Sequence, residues 1–135
     1  MLRVFVYGTL KPGQVNFERY CGGDRTLASP LPAQVRGKLF ALSLGYPAMT
    51  LGESWVKGYL LELADESILM ALDGLEDYQP HRAEAQNEYQ RREVEVFEAE
   101  GRSLGLAWTY FMTLPKVEQY DGRWIASGEW KGKDH

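Results

Sequence analysis

Three stretches of the chain carry residue types able to do chemistry. The run Val6-Tyr7-Gly8-Thr9-Leu10-Lys11-Pro12-Gly13 places a glycine-bearing loop directly after an apolar strand. Such a loop leaves backbone N–H groups without ladder partners, and a row of them can cradle an anion or a developing oxyanion. The plainer alternative is an ordinary strand-ending turn. Gly8 and Gly13 have the G-x-x-x-x-G spacing of a phosphate loop. Gln14-Val15, however, stand where Lys-Ser/Thr would handle phosphate and Mg²⁺, so the nucleotide reading is rejected.

The second stretch is Leu72-Asp73-Gly74-Leu75-Glu76-Asp77-Tyr78. If Leu72 and Leu75 face a core, Glu76 lies four residues past Leu72, on the rim of the same helical face. A carboxylate held at an apolar edge has its pKa raised and can serve as acid or base. The alternative is a solvated acidic helix end, and Asp73 and Asp77 are assigned to such a group. The third stretch is Tyr89-Gln90-Arg91-Arg92-Glu93-Val94-Glu95-Val96. Period two puts Tyr89, Arg91, Glu93 and Glu95 on one face, which is normal for an antiparallel strand with one wet side. An adjacent Arg and Tyr can also line a site for a carboxylate-bearing ligand.

Composition limits the rest. The chain has 135 residues, 44% hydrophobic and 25% charged, which suits one domain spanning 1–135 with a real core. Fifteen Lys+Arg against nineteen Asp+Glu give a net charge of −4, which argues against a dedicated nucleic-acid binder. No run approaches the ~20 apolar residues of a membrane-spanning helix, so no membrane role is expected. Cys21 is alone, and the histidines, His81 and His135, are isolated, so no Cys/His zinc set can form. A Ser-His-Asp or Cys-His triad would have to use His81, which has no framed nucleophile nearby. Acid–base work therefore falls to a carboxylate, with no metal or other cofactor. A lone cysteine and a start too short for a signal peptide favour a cytoplasmic home.

The elements that must position these groups follow from periodicity. Leu2–Tyr7 alternates, with Leu2, Val4 and Val6 on one face and Phe5 and Tyr7 on the other; both faces are largely apolar, as in an inner strand. Val35–Leu42 and Trp55–Leu63 are further strands, interrupted by Gly37 and Gly58, which mark bulges or bends. Asp65 is a candidate N-cap for a helix carrying Ile68, Leu69, Leu72 and Leu75. Tyr89–Phe97, Glu100-Gly101 and Leu104–Phe111 read as a hairpin, and Gly122–Trp130 as an edge strand or lid. Trp55, Tyr59, Trp108, Tyr110, Trp124 and Trp130 are assigned to packing. The fold class is α+β: a curved sheet or small bent barrel with one main packed helix.

In order and spacing, these segments resemble the gamma-glutamylcyclotransferase-like family, in its gamma-glutamylamine cyclotransferase-like branch. The resemblance rests on Val6-Tyr7-Gly8-Thr9-Leu10-Lys11-Pro12-Gly13-Gln14 with Asn16, Gly45-Tyr46-Pro47-Ala48 and Val56-Lys57-Gly58-Tyr59-Leu60. It continues through Leu72-Asp73-Gly74-Leu75-Glu76, Tyr89-Gln90-Arg91, Ala107-Trp108-Thr109-Tyr110 and Gly128-Glu129-Trp130. It implies a bent β-barrel with a cavity and cleavage of γ-glutamyl amides by cyclisation to 5-oxoproline and a free amine. Tyr7, Gly8, Thr9 and Leu10 would then hold the glutamyl part of a small-molecule substrate, Glu76 would be the catalytic carboxylate, and Tyr89 would line the same pocket. Many members have Gly after that Glu where this chain has Asp77, which either acts on Glu76 or points away.

The resemblance leaves two rivals: a binding module that keeps the cavity without turnover, and a transferase passing the γ-glutamyl group to another amine. Substrate choice is assigned to the Val15–Pro32 and Asp77–Glu88 segments. A monomer or weak homodimer is expected.

Overall fold

Six strands and three short helices account for most of the chain in a computed structural model that describes residues 1–132. His135 lies outside the described residues. The strands are β1 (Leu2–Val6), β2 (Leu31–Ala41), β3 (Pro47–Leu63), β4 (Gln90–Phe97), β5 (Ser103–Phe111) and the two-residue edge strand β6 (Arg123–Trp124). The helices are α1 (Phe17–Cys21), α2 (Ile68–Leu75) and α3 (Leu114–Gln119). The strands form one mixed sheet in the order β3-β1-β5-β4-β2-β6, and β2 also pairs with β3, so the pairing order returns on itself. The expected α+β class holds, and α2 is the longest of the three helices among the described residues. No helix among the described residues is long and apolar enough to cross a membrane.

β1 occupies the inner position that its two apolar faces require. It runs antiparallel to β3, from Leu2↔Leu63 to Val6↔Tyr59, and parallel to β5 at Val4↔Trp108. Leu2, Val4 and Val6 enter one core cluster, together with Cys21, Leu72 and Val117, the one fully buried residue of each helix. Phe5 and Tyr7 enter the other, with Val35, Leu39, Met49, Val56, Val96 and Phe111 from the remaining long strands. One apolar layer therefore lies between sheet and helices and a second lies on the opposite face. Burial of this kind is worth roughly 1.5–3 kcal/mol per large aliphatic side chain.

The two strand glycines do different things. At Gly37 the β2–β3 register jumps, Arg36↔Trp55 giving way to Lys38↔Thr50, so β3 bulges as expected. At Gly58 the register is unbroken, and the glycine is required by close approach: a Cβ there would lie 2.1 Å from the Val6 carbonyl oxygen. The hairpin at Glu100-Gly101 forms as read, with Gly101 at φ +100°.

The two ends of α2 depart from expectation. Asp65 is not the N-cap; Ser67 holds that position, and the Asp65 carboxylate accepts the Ser67 N–H at 2.9 Å, one step earlier. Successive i→i+3 bonds from Ile68, Leu69 and Met70 to Asp65, Glu66 and Ser67 wind the chain into the helix as a tight turn. At the other end Tyr78 N–H bonds the Asp73 carbonyl at 2.9 Å and Asp77 N–H the Gly74 carbonyl at 3.3 Å, a Schellman closure. It requires a left-handed residue just past the helix, and Asp77 supplies it with φ +52°. Asp tolerates that region better than most residues, and β-branched ones hardly at all. Asp77→Val is therefore expected to lower stability by about 1–2 kcal/mol, read from the urea midpoint. An unchanged midpoint would refute the role given to this closure.

Candidate functional site

The closure fixes the place of the next functional group. Glu76 caps α2, its N–H bonded to the Leu72 carbonyl at 2.9 Å, and its side chain is delivered toward the end of β1. There Tyr7-Gly8-Thr9-Leu10 leaves the sheet. The Lys11 N–H bonds the Gly8 carbonyl at 3.0 Å to form a turn. Asn16 then clamps Thr9 twice, through its backbone N–H to the Thr9 carbonyl and its side-chain amide to Thr9 Oγ1, both at 2.9 Å. The buried Lys11 ammonium ties the loop to the Trp130 carbonyl. Gly8 packs so tightly on Pro47 that a Cβ would meet its ring at 2.8 Å. Among the described residues, no protein acceptor takes the N–H groups of Gly8, Thr9 or Leu10.

Glu76 and this loop line one cavity of about 50 Å³, closed by Phe5, Val6, Tyr46, Pro47, Tyr89, Thr109 and Tyr110. All six residues singled out from the sequence, Tyr7, Gly8, Thr9, Leu10, Glu76 and Tyr89, meet there. As a whole residue Glu76 keeps some exposure, because the helix end is at the surface. Its carboxyl group, however, is enclosed by protein, and desolvation raises its pKa from 4.5 to about 7. Burial raises the Tyr7 and Tyr89 pKa values too, with the charge of Glu76 adding to both. Tyr7 donates its hydroxyl to the Tyr110 carbonyl and Tyr89 to the Pro47 carbonyl, each at 2.8 Å. A carboxyl group of this pKa exchanges protons near neutrality, and free amides facing it can take up negative charge on a carbonyl oxygen.

Several sequence assignments are corrected. Asp73 is not part of a solvated helix end: it is partly buried, accepting Arg91 Nη1 at 2.6 Å and the Tyr110 hydroxyl at 2.7 Å. Arg91 therefore does not line the cavity for a ligand; it is held by Asp73 and stacked over the Trp108 and Tyr78 rings. Asp77 points away from Glu76, exposed and ion-paired with Arg82 at 3.0 Å. The Val15–Pro32 and Asp77–Glu88 segments supply no residue to the cavity wall. Tyr46, Pro47, Thr109 and Tyr110 do, though none was given a role in the site. Alternation along β5, which turns Tyr110 inward opposite Arg91, carried a signal for the last of these. Cys21 is fully buried, its thiol pKa pushed up to about 11, which leaves it inert.

Sheet, cavity and carboxylate together make an α+β fold in which one acidic group shares a hollow with free loop amides. The profile of the family described as gamma-glutamyl cyclotransferase, AIG2-like, matches residues 4–132, and the chain belongs to that family. Among solved structures, an AIG2-like protein from Mus musculus is 25% identical, with TM-score 0.73 over 97% of this chain and 88% of its own. YkqA from Bacillus subtilis is also 25% identical, with TM-score 0.66, over 96% of this chain but only 39% of YkqA, so this chain spans well under half its length. A gamma-glutamyl cyclotransferase of 21% identity shares the fold, with TM-score 0.57 over 83% of this chain and 66% of that one. No curated protein sequence matches.

Proposed function

We propose that the chain is a γ-glutamyl cyclotransferase acting on a small γ-glutamyl amine or γ-glutamyl amino acid without a cofactor. The observation that carries the reading is a single cavity joining a carboxyl group of pKa about 7 to three unpaired loop amides. Glu76 takes a proton from the substrate's α-ammonium. The freed amine attacks the γ-carbonyl carbon four bonds away along its own chain, closing a five-membered ring with a new C–N bond and a tetrahedral oxyanion. That intermediate collapses: Glu76 returns its proton to the departing nitrogen as the C–N bond to the leaving amine breaks, and the second proton, shed by the ring nitrogen as it becomes an amide, goes to the released amine, which leaves as an ammonium. The products are 5-oxoproline and a free amine.

The energetics suit this constellation. Tethering nucleophile and electrophile can supply about 7–11 kcal/mol of the barrier, so no protein nucleophile is required. Backbone donors at the oxyanion are each worth about 3–4 kcal/mol. A carboxyl group poised near neutrality exists in both forms, as accepting one proton and delivering another demands.

The test is mass-spectrometric detection of 5-oxoproline from a panel of γ-glutamyl amines and amino acids. Release from at least one is expected. Saturable binding without product would instead assign a binding module, and a new γ-glutamyl conjugate without 5-oxoproline would assign a transferase. Because Glu76 must be ionised to accept the first proton, kcat/KM is expected to rise as pH increases through about 7. A profile level across that point would remove Glu76 from the base role.

A further inference from the structure

Four of the six hydroxyl groups around the cavity share a polarity. A carbonyl oxygen only accepts, so the Tyr7 and Tyr89 hydroxyl protons are committed to Tyr110 and Pro47, and the Thr109 hydroxyl proton to the Phe5 carbonyl at 2.9 Å. The Tyr110 hydroxyl lies within 2.7 Å of Asp73 Oδ1, and the other oxygen of that carboxylate is held by Arg91 at 2.6 Å. An Arg-paired carboxylate is also an acceptor only. Four hydroxyl-bearing residues of the cavity thus have their protons turned into protein, and their oxygens have only lone pairs left to offer. The unpaired Gly8, Thr9 and Leu10 amides offer donors only. Tyr46, half-buried, and Thr9, whose hydroxyl oxygen accepts from Asn16, are the two whose hydroxyl protons have no protein acceptor among the described residues.

Of the four committed protons, only that of Tyr110 is held by a side chain rather than the backbone. We infer that Asp73 is a positioning residue: by taking the Tyr110 hydroxyl proton it presents the Tyr110 oxygen to the cavity as an acceptor, and so sets that wall to select a protonated amine. Arg91 fixes the Asp73 carboxylate in the orientation this needs. Tyr110 does not surrender its proton to Asp73, because burial, and then the bond and charge of Asp73, raise its pKa. The inference rests on the cyclotransferase reading, since the amine selected is the α-ammonium that later attacks.

Asp73→Asn is the informative substitution. Its single carbonyl oxygen is claimed by Arg91, whose charge makes it the stronger donor, which turns the amide NH₂ toward Tyr110. The Tyr110 hydroxyl must then accept from Asn and point its proton into the cavity, reversing its polarity. The matched probes are L-glutamate and glutarate, which differ by the α-ammonium and carry no leaving amine, so calorimetry reads binding without turnover. The parent chain is expected to prefer L-glutamate, and Asp73→Asn to reduce that preference about tenfold while holding glutarate affinity, the order of one charge-assisted hydrogen bond. Tyr110→Phe, which keeps the ring and removes the oxygen, is expected to do the same and decides the matter if Asp73→Asn does not fold. A parent chain without the preference, an unchanged preference in both variants, or equal weakening of both ligands each overturns the inference. Failure of the cyclotransferase reading appears separately, as absence of 5-oxoproline from the amide panel.

Discussion

Glu76→Gln is expected to lower 5-oxoproline release by about 10²–10⁴-fold while leaving the protein folded, because it removes the proton carrier and keeps the shape. It is also expected to change stability in the opposite sense. The folded-state pKa of Glu76 is about 7 against an ordinary 4.5, so between those values the folded chain holds a proton that the unfolded chain has released. Stability contributed by this group is therefore full below about pH 4.5 and is lost as pH rises through about 7. The loss reaches about 3 kcal/mol at most. Gln has no charge to bury, so parent and variant should unfold alike near pH 4 and the variant should be the more stable near pH 8. Urea unfolding at the two pH values, alongside the activity assay, checks both halves. Undiminished turnover in Glu76→Gln would end the catalytic assignment, and a stability difference that ignored pH would end the claim that the carboxyl group is desolvated.

Gly58→Ala carries the largest expected cost to the fold. The added methyl would sit 2.1 Å from the Val6 carbonyl oxygen and 3.0 Å from the Phe5 ring. The oxygen belongs to the central strand and cannot yield without disturbing the β1–β3 ladder, which leads directly into the Tyr7–Leu10 loop. A loss of about 3 kcal/mol or more is expected. Gly74→Ala is the natural control, since nothing lies within 4 Å of a Cβ built in α2 at that position. There the better helix former is expected to gain up to about 1 kcal/mol. Equal urea midpoints for the two variants would show that close approach is not what Gly58 provides.

The legible parts of this molecule were those set by local periodicity. Alternation along Leu2–Tyr7 places Leu2, Val4 and Val6 in one apolar layer and Phe5 and Tyr7 in the other, which is where they lie. The hairpin around Gly101 and the helix carrying Leu72 were legible for the same reason. The Gly8–Leu10 loop and Glu76 were each readable as ordinary structure, and only their order along the chain singled them out. Asp73 was misread because its partners, Arg91 and Tyr110, stand 18 and 37 residues away and meet it only through the β4–β5 register. The cavity wall was misplaced for a related reason. Loops of uncertain structure looked like the natural place for shape to be set, whereas the sheet supplies Thr109 and Tyr110 and the turn before β3 supplies Tyr46. Asp65 failed as a cap because a tight turn intervenes before the helix starts, and propensity does not distinguish the two.

The parallel contact between β1 and β5 bears on biosynthesis. Val4 meets Trp108, and the Phe5 carbonyl is bonded by Thr109, across about a hundred residues of chain. A nascent polypeptide emerging from the ribosome would already possess Glu76 and its amide-bearing loop, yet lack the floor that Thr109 and Tyr110 lay beneath them. Such long-range closure is slow compared with hairpin or helix formation. Translation must therefore pass β5 before the hollow exists, and truncated chains ending before β5 would lack Thr109 and Tyr110 from its wall however well the preceding portion folded.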